Sequence, residues 1–398
     1  MTVELVEVPL HVKGWGISLP WGGFFRTAAG RLIDRFIKVQ WAVHKAWPAS
    51  KFIAPLIMDR RDYLDVHKNP FFTHTDVGCW IAVKDGRDVG RIAAVHDKDW
   101  ETHHGDKVGY FGFFECFEDQ EVADALFAKA KAFLAERGRV DMIGPFDLST
   151  NYQAGLLVDS FDSPPGVQMP YNPPYYEGLI AGAGLEQRKD LWQWWLSSST
   201  PIPEKVVRVA KKVAERNNVE IRQMDLSQWD DEVTRVLEIY NDAWEQNWGF
   251  VPVGEAEFRH IAADLKMVVK PETALMAEID GEPIAFCITI MDMNQALDGL
   301  DGKLVPTGLF KLLWRTEVKK DFVTRGRLIV MGIKSGYRRR GADSILFVKT
   351  HEAANALGWE GAEIGWTLDD NDMVNRAIEA MHGTKVKTYR VFGAALAD

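Results

Sequence analysis

The stretch IVMGIKSGYRRRGADSILF, residues 329–347, decides how this chain is read. An apolar run passes through a glycine-bearing turn and three consecutive arginines straight into a second apolar run. The first run predicts a buried strand and the second a helix, so the arginines and Gly341 stand at the mouth of a helix. Unpaired backbone N–H groups and the helix dipole favour an anion at that point, and a glycine lets the backbone approach it closely. The turn is a candidate phosphate cradle.

An internal repeat supplies the control. Residues 85–95 read DGRDVGRIAAV and residues 280–290 read DGEPIAFCITI, each a tight Asp-Gly hairpin turn leading into a buried strand, 195 positions apart. Further on, ALFAKAKAFLAERG (125–138) matches ILFVKTHEAANALG (345–358) at an offset of 220. An insertion over 294–327, containing the helix-like GLFKLLWRTEVKKDF (308–322), accounts for the longer second copy. Each copy predicts hairpin, strand, helix, strand, helix, strand, a mixed α/β layout. The boundary falls near LSSSTPIPEK (196–205), where Ser and Pro cluster. Carried back by 220, Arg338, Arg339, Arg340 and Gly341 land on Glu118, Asp119, Gln120 and Glu121. The later copy presents cations where the earlier one presents acids, so only the later one suits an anion.

Composition narrows the partners. A chain of 398 residues is too long for one ordinary core, and two domains are expected. The formal net charge of −10 argues against a nucleic-acid partner. Cys79, Cys116 and Cys287 lie far apart without a CxxC pair, which points to a reducing cytosol with no disulfide framework. None of His67, His74, His96, His103 or His104 shows the helical spacing of a zinc site, so no metal is expected.

No segment is long and apolar enough to span a bilayer. FFRTAAGRLIDRFIKVQWAVHKAW (24–47) has the periodicity of an amphipathic helix, carries Arg26, Arg31, Arg35, Lys38 and Lys45 against Asp34 alone, and follows Trp15 and Trp21. For the first 30 residues we expect contact with lipid or a partner; for the second half of the helix, packing against its own domain.

These residues resemble the GNAT acyltransferases, whose Arg/Gln-x-x-Gly-x-Gly/Ala turn holds the pyrophosphate of coenzyme A. Arg338, Gly341 and Ser344 fit that turn, with Arg339, Arg340 and Ala342 inside it, and Asp343 departs from it by replacing the last Gly or Ala. The resemblance implies that the strand containing Met331, Gly332 and Ile333 pairs with the pantetheine arm and that Asn371 contacts the cofactor. It implies an α/β (α+β) fold of two tandem GNAT-like domains, each a mixed, mostly antiparallel sheet flanked by helices. The expected division is a basic, aromatic N-terminal segment over 1–48, a degenerate GNAT-like domain over 49–199 and an acyl-CoA-binding GNAT domain over 200–398. The Pro-rich, aromatic loop 144–176 is a candidate lining for the acceptor pocket.

The layout is also similar to bacterial ceramide synthases, tandem GNAT-like proteins that move a long acyl chain from acyl-CoA to the amine of a sphingoid base. That resemblance implies acyl-CoA as co-substrate with no tightly bound cofactor, a long-chain amine as acceptor, and a cytoplasmic enzyme working at the inner-membrane surface. The family's acid would fall at Met381, which cannot donate a proton. The candidates are then Asp369 as base and Tyr389 as acid, with Glu115 and His103 reaching from the first copy and His382 or His104 as further donors. An aminoacyl-tRNA-dependent transferase and a non-catalytic acyl-CoA-binding protein are the alternatives.

Overall fold

The computed structural model describes residues 2–11, 16–18, 24–319, 321–338 and 340–396. In chain order the elements begin β1 (Glu4–Glu7), β2 (Gly16–Ser18), β3 (Phe24–Arg26), α1 (Ala28–Ala46), α2 (Ile57–Leu64), β4 (Thr75–Lys84), β5 (Arg87–Asp97), α3 (Lys98–His104), β6 (Val108–Cys116) and α4 (Gln120–Ala135). They continue β7 (Asp141–Gly144), β8 (Leu156–Leu157), α5 (Tyr176–Gly182), β9 (Glu186–Ser197), α6 (Glu204–Arg216), β10 (Val219–Gln223), α7 (Trp229–Trp244), α8 (Glu255–Leu265), β11 (Val269–Ile279) and β12 (Glu282–Met291). The last are α9 (Met293–Leu297), α10 (Gly308–Leu313), β13 (Arg325–Ile333), α11 (Ala342–Ala356), β14 (Gly361–Leu368), α12 (Asp372–Ala380) and β15 (Thr384–Ala395).

Two compact units result, one of residues 1–190, 297–318 and 388–398, the other of 191–296 and 319–387. The first is built on strands in the order β1-β4-β5-β6-β7-β15, the second on β9-β14-β13-β12-β11-β10. Pairing is antiparallel except at β6–β7 and β13–β14, so each unit is the mixed, mostly antiparallel sheet that was expected.

The repeat is legible in the register. Both Asp-Gly turns are hairpins: Lys84 faces Arg87 and Ile279 faces Glu282, with positive φ at Asp85, Gly86, Asp280 and Gly281. Val95 faces Tyr110 as Ile290 faces Arg327: the first members are 195 residues apart and their partners 217, so the offset grows between the two strands, where the insertion lies. Both copies then run strand, helix, strand, helix, strand. In the second unit side chains alternate across the sheet: Phe286 and Ala243 of α7 crowd Gly332, whereas Cys287 lies 3.5 Å from Thr350 of α11. Helices therefore cover both faces.

The N-terminal helix packs on its own unit, as expected for its second half. Ile33, Phe36, Ile37, Val39 and Val43 of α1 are buried, and the helix packs on β5 and β6 of its own unit. Arg35 is paired with Asp88 at 2.6 Å and Asp34 with Arg61 at 2.7 Å. The apolar face that could have entered lipid is core, because its residues recur on the side that meets the sheet. Residues 28–48 are thus part of the first unit rather than a separate segment, and the insertion 297–318 also belongs to that unit. Trp15 and Trp21 lie outside the described residues. Replacing Ile33 by Ala should cost about 2–5 kcal/mol in chemical denaturation. A loss near zero would mean that α1 does not seal this core.

Candidate active site

The site is made by a strand that loses a neighbour. β13 runs parallel to β14 over four pairs, from Arg325–Gly361 to Leu328–Ile364. At Ile329 it bulges, since Thr289 faces Leu328 while Ile288 faces Val330. Past the bulge, residues 329–333 keep β12 on one side, while β14 stays paired with β9, shifting register after Ile364 and resuming at Thr367 and Leu368. Among the described residues no protein group takes up the backbone of 329–333 on the β14 side. Unpaired polar backbone is costly to bury, so this V-shaped opening suits a ligand with amide groups of its own.

The mouth of the V is the arginine turn. Asp242 of α7 accepts from Ser335 N at 2.9 Å, and Glu282 accepts from Tyr337 Oη at 2.7 Å, fixing the approach. Gly341 has φ +86°, and a Cβ there would come within 2.5 Å of Val213, so glycine is required twice over. α11 then begins without a side-chain cap. Its opening N–H groups therefore remain donors for an anion. Arg338 donates to Ala243 O at 2.7 Å, and the exposed Arg340 guanidinium lies 4.9 Å from the Tyr337 ring centroid. Ala342 is buried, Asp343 and Ser344 are half-buried in the first turn, and Arg339 lies outside the described residues. Met331 and Ile333 are half-buried and pack against the core on the α11 side, whereas Gly332 faces α7.

The twin turn in the first unit is closed by its own chain. β6 and β7 pair over Val108–Tyr110 and then part in the same way. Here Phe146 N donates to Phe111 O at 2.8 Å, Phe113 N donates to Asp147 at 2.9 Å, and Cys116 N donates to Tyr176 Oη at 2.9 Å. A Cβ on Gly112 would lie 1.7 Å from Phe146 O, so the segment is pressed fully into the opening. Asp119 caps α4, and Lys84 reaches both Asp119 and Glu121. The loop 144–176 thus begins and ends as the plug of this opening, with Tyr175 and Tyr176 at its far end.

A charged cluster stands at the closed end of the second unit's V, with Glu363 half-buried among buried partners. Glu363 faces Arg327 across the β13–β14 pair, and Gln193 donates to its Oε2. Arg327 donates to Gly365 O at 2.9 Å, while Asp292, Arg327, Gln193 and Lys387 are all buried. Burial pushes the Glu363 carboxyl up to about 7; Asp292 adds to the rise, and Arg327, Lys387 and Arg325 oppose it. A carboxylate poised there exchanges a proton near neutral pH. Sequence reading missed this group. The signal was present as polar groups inside apolar strands, the charged Glu363 in GAEIGW and the neutral Gln193 in WQWW. On the α7 side, Trp366 of β14 meets Trp244 at 6.5 Å, Tyr240 stacks on Trp244, and Phe250 meets Tyr240 edge-on, an aromatic wall.

The residues singled out from sequence are scattered. Asp369 follows β14 directly and is half-buried. Asn371 caps α12 through Val374 N, and it is Asn375 that is buried, accepting from Thr367 Oγ1 at 2.7 Å. Tyr389 is fully buried in the first unit, facing Leu157 of β8. Glu115 is buried in that unit too: Tyr176 donates to it at 2.7 Å, Arg91 lies 3.5 Å away, and burial pushes its carboxyl up to about 7. His103 ends α3 with its ring against His104, and His382 is exposed. His74 Nδ1 lies 3.0 Å from Asp97, a carboxylate that also caps α3. Met381 is core.

No protein-family model matches the chain. It is 37% identical over 369 residues to a protein of Caulobacter vibrioides (strain NA1000 / CB15N) named bacterial ceramide synthase, a match covering 92% of this chain and 95% of that one. Protein YghO of Escherichia coli (strain K12) is 33% identical over 362 residues, covering 87% and 90%. Among solved structures, a tandem GNAT protein from the clavulanic acid biosynthesis pathway aligns over 100% of this chain and 99% of its own, with a TM-score of 0.57 at 11% identity. Two copies of one frame, an open strand junction in the second, and a relative matched almost end to end lead to one assignment: the chain is an acyltransferase of tandem GNAT fold and belongs to the family of the bacterial ceramide synthase.

Proposed function

We propose that this enzyme takes its acyl group from a coenzyme A thioester held by the second unit and transfers it to the amine of a long-chain, amphiphilic acceptor of the sphingoid-base class. One observation carries the donor half of this reading: among the described residues the backbone of 329–333 is unpaired on its β14 side, beside an α11 without a side-chain cap, whereas the twin junction is plugged and capped by its own chain. Amide groups of a pantetheine arm suit the first feature and a diphosphate suits the second. For the acceptor, support comes from the name of the Caulobacter relative and from the aromatic wall of Tyr240, Trp244, Phe250 and Trp366, which suits an aliphatic tail.

The chemistry needs few groups. Glu363, as carboxylate, accepts a proton from the acceptor ammonium, directly or through water, and frees the nitrogen lone pair. The nitrogen attacks the thioester carbonyl carbon, and the developing oxyanion is met by backbone N–H groups at the bulge near Ile329. The C–S bond then breaks, the nitrogen gives up its second proton, that proton ends on the departing thiolate, and the neutral amide and free thiol remain. Asp369, Tyr389, Glu115 and His103 are given no role in these steps.

Coenzyme A should raise the thermal midpoint of the enzyme. Arg340→Glu, an exposed change, should weaken that effect about tenfold, while Glu121→Gln in the twin turn leaves it intact. Equal binding by both variants removes the donor site from this turn. Glu363→Gln should lower kcat about a hundredfold and abolish the rise of activity as pH passes 7. The sign follows from the raised value: below it the group is protonated and cannot act as base. A variant with an unchanged pH profile excludes Glu363 as the base. Finally, long-chain acyl-CoA with sphinganine should give the N-acyl product by mass spectrometry, matched by free thiol. Thiol release without amide would leave the acceptor class wrong.

A further inference from the structure

We propose that the helix formed by α10 and the turn that continues it is a docking surface for an anionic lipid bilayer. Eleven large apolar side chains are exposed among the described residues, and Val305, Leu309, Phe310, Leu313, Trp314 and Val318 fall in one 14-residue stretch. Phe310 is 75% exposed, Val318 69%, Leu309 and Leu313 50% each. The spacing gathers 309, 310, 313 and 314 on one side of the helix. The π-helical turn over Trp314–Val318 extends that helix beyond Leu313. Apolar side chains scattered singly over a surface need no explanation, but a contiguous exposed set does.

The helix is held in place rather than loose. Leu309 N donates to Leu304 O at 2.7 Å, Arg315 donates to Asp298 O at 2.7 Å, and Ile57 N donates to Gly302 O at 3.0 Å. The apolar face is therefore presented, not merely left uncovered by a mobile segment.

Charge selects the occupant. Residues 303–320 carry Lys303, Lys311, Arg315, Lys319 and Lys320 against Glu317; Lys303 is paired with Asp301 at 3.1 Å, so the excess rests on Lys311, Arg315, Lys319 and Lys320, within a chain of net charge −10. Lys311 and Lys319 are exposed beside the apolar residues. A short helix with Phe, Leu and Trp on one face and lysines at its rim has the chemistry of an element lying in the headgroup layer. Among the described residues no helix is long and apolar enough to cross a membrane, so the contact is with the surface. The apolar face of the N-terminal helix is core and is not open to this role. The role is independent of the acyl-transfer reading and is tested without any acyl donor.

The experiment is flotation of the full chain with phosphatidylcholine vesicles, with and without phosphatidylglycerol. Wild type should float with the anionic vesicles, less with neutral ones, and less at high salt. The double variant Phe310→Glu, Leu313→Glu should lose at least about tenfold in partitioning, with its thermal midpoint unchanged because both positions are exposed. Lys311→Glu should weaken binding to the anionic vesicles selectively. Absence of wild-type flotation, or flotation of the double variant equal to wild type, overturns the proposal. Wild type that stays off vesicles but is dimeric by light scattering, and monomeric in the double variant, would reassign the face to a second copy of the chain.

Discussion

Everything distinctive about this enzyme follows from one unmet demand of the backbone. A strand in the middle of a sheet should pair on both sides, and β13 does so for only four residues before the bulge at Ile329 turns it away from β14. The groups left over cannot be buried dry without a penalty of a few kcal/mol each. Either the protein must fill the gap or a ligand must. The two units give the two answers.

In the first unit the chain fills its own gap. Phe146, Asp147, Tyr175 and Tyr176 satisfy the β6 backbone, Asp119 satisfies the helix, and Lys84 balances the acids. This unit is consequently a stable scaffold, and its buried Arg91–Glu115–Tyr176 group is an internal polar network. In the second unit the same geometry is left unfilled, and the neighbouring turn supplies an uncapped helix with Arg340 beside it. The arginine run is less uniform than its sequence suggests, since Arg338 is spent on Ala243 O. The cradle therefore rests more on backbone donors than on three free cations.

The group around Glu363 shows how burial makes chemistry from ordinary side chains. In water a glutamate is ionised at neutral pH and a poor base; desolvation beside Asp292 brings its carboxyl up to about 7, where it can take and release a proton. Arg327 and Lys387 limit the rise and compensate the buried charge. Such a group costs stability, and the sheet around it must hold it in place.

The sequence by itself determined the duplicated frame and the place of the anion turn. Asp-Gly at 85 and 280, the matching helices at 125 and 345, and acids set against arginines are local facts, and hairpin turns and helix ends obey local rules. It gave the second half of α1 as packed on its own domain, which the structure bears out, and left the first 30 residues to lipid or a partner, because amphipathicity reveals that a face will be covered but not by what. It missed Glu363, Gln193 and Lys387 because they lie 24 to 194 residues apart and become one site only when their strands align. The plug in the first unit was equally unreadable, since a loop's contacts are set by where the chain returns in space. Local chemistry fixed which elements form; long-range packing alone decided which junction stayed open and which charges were forced together.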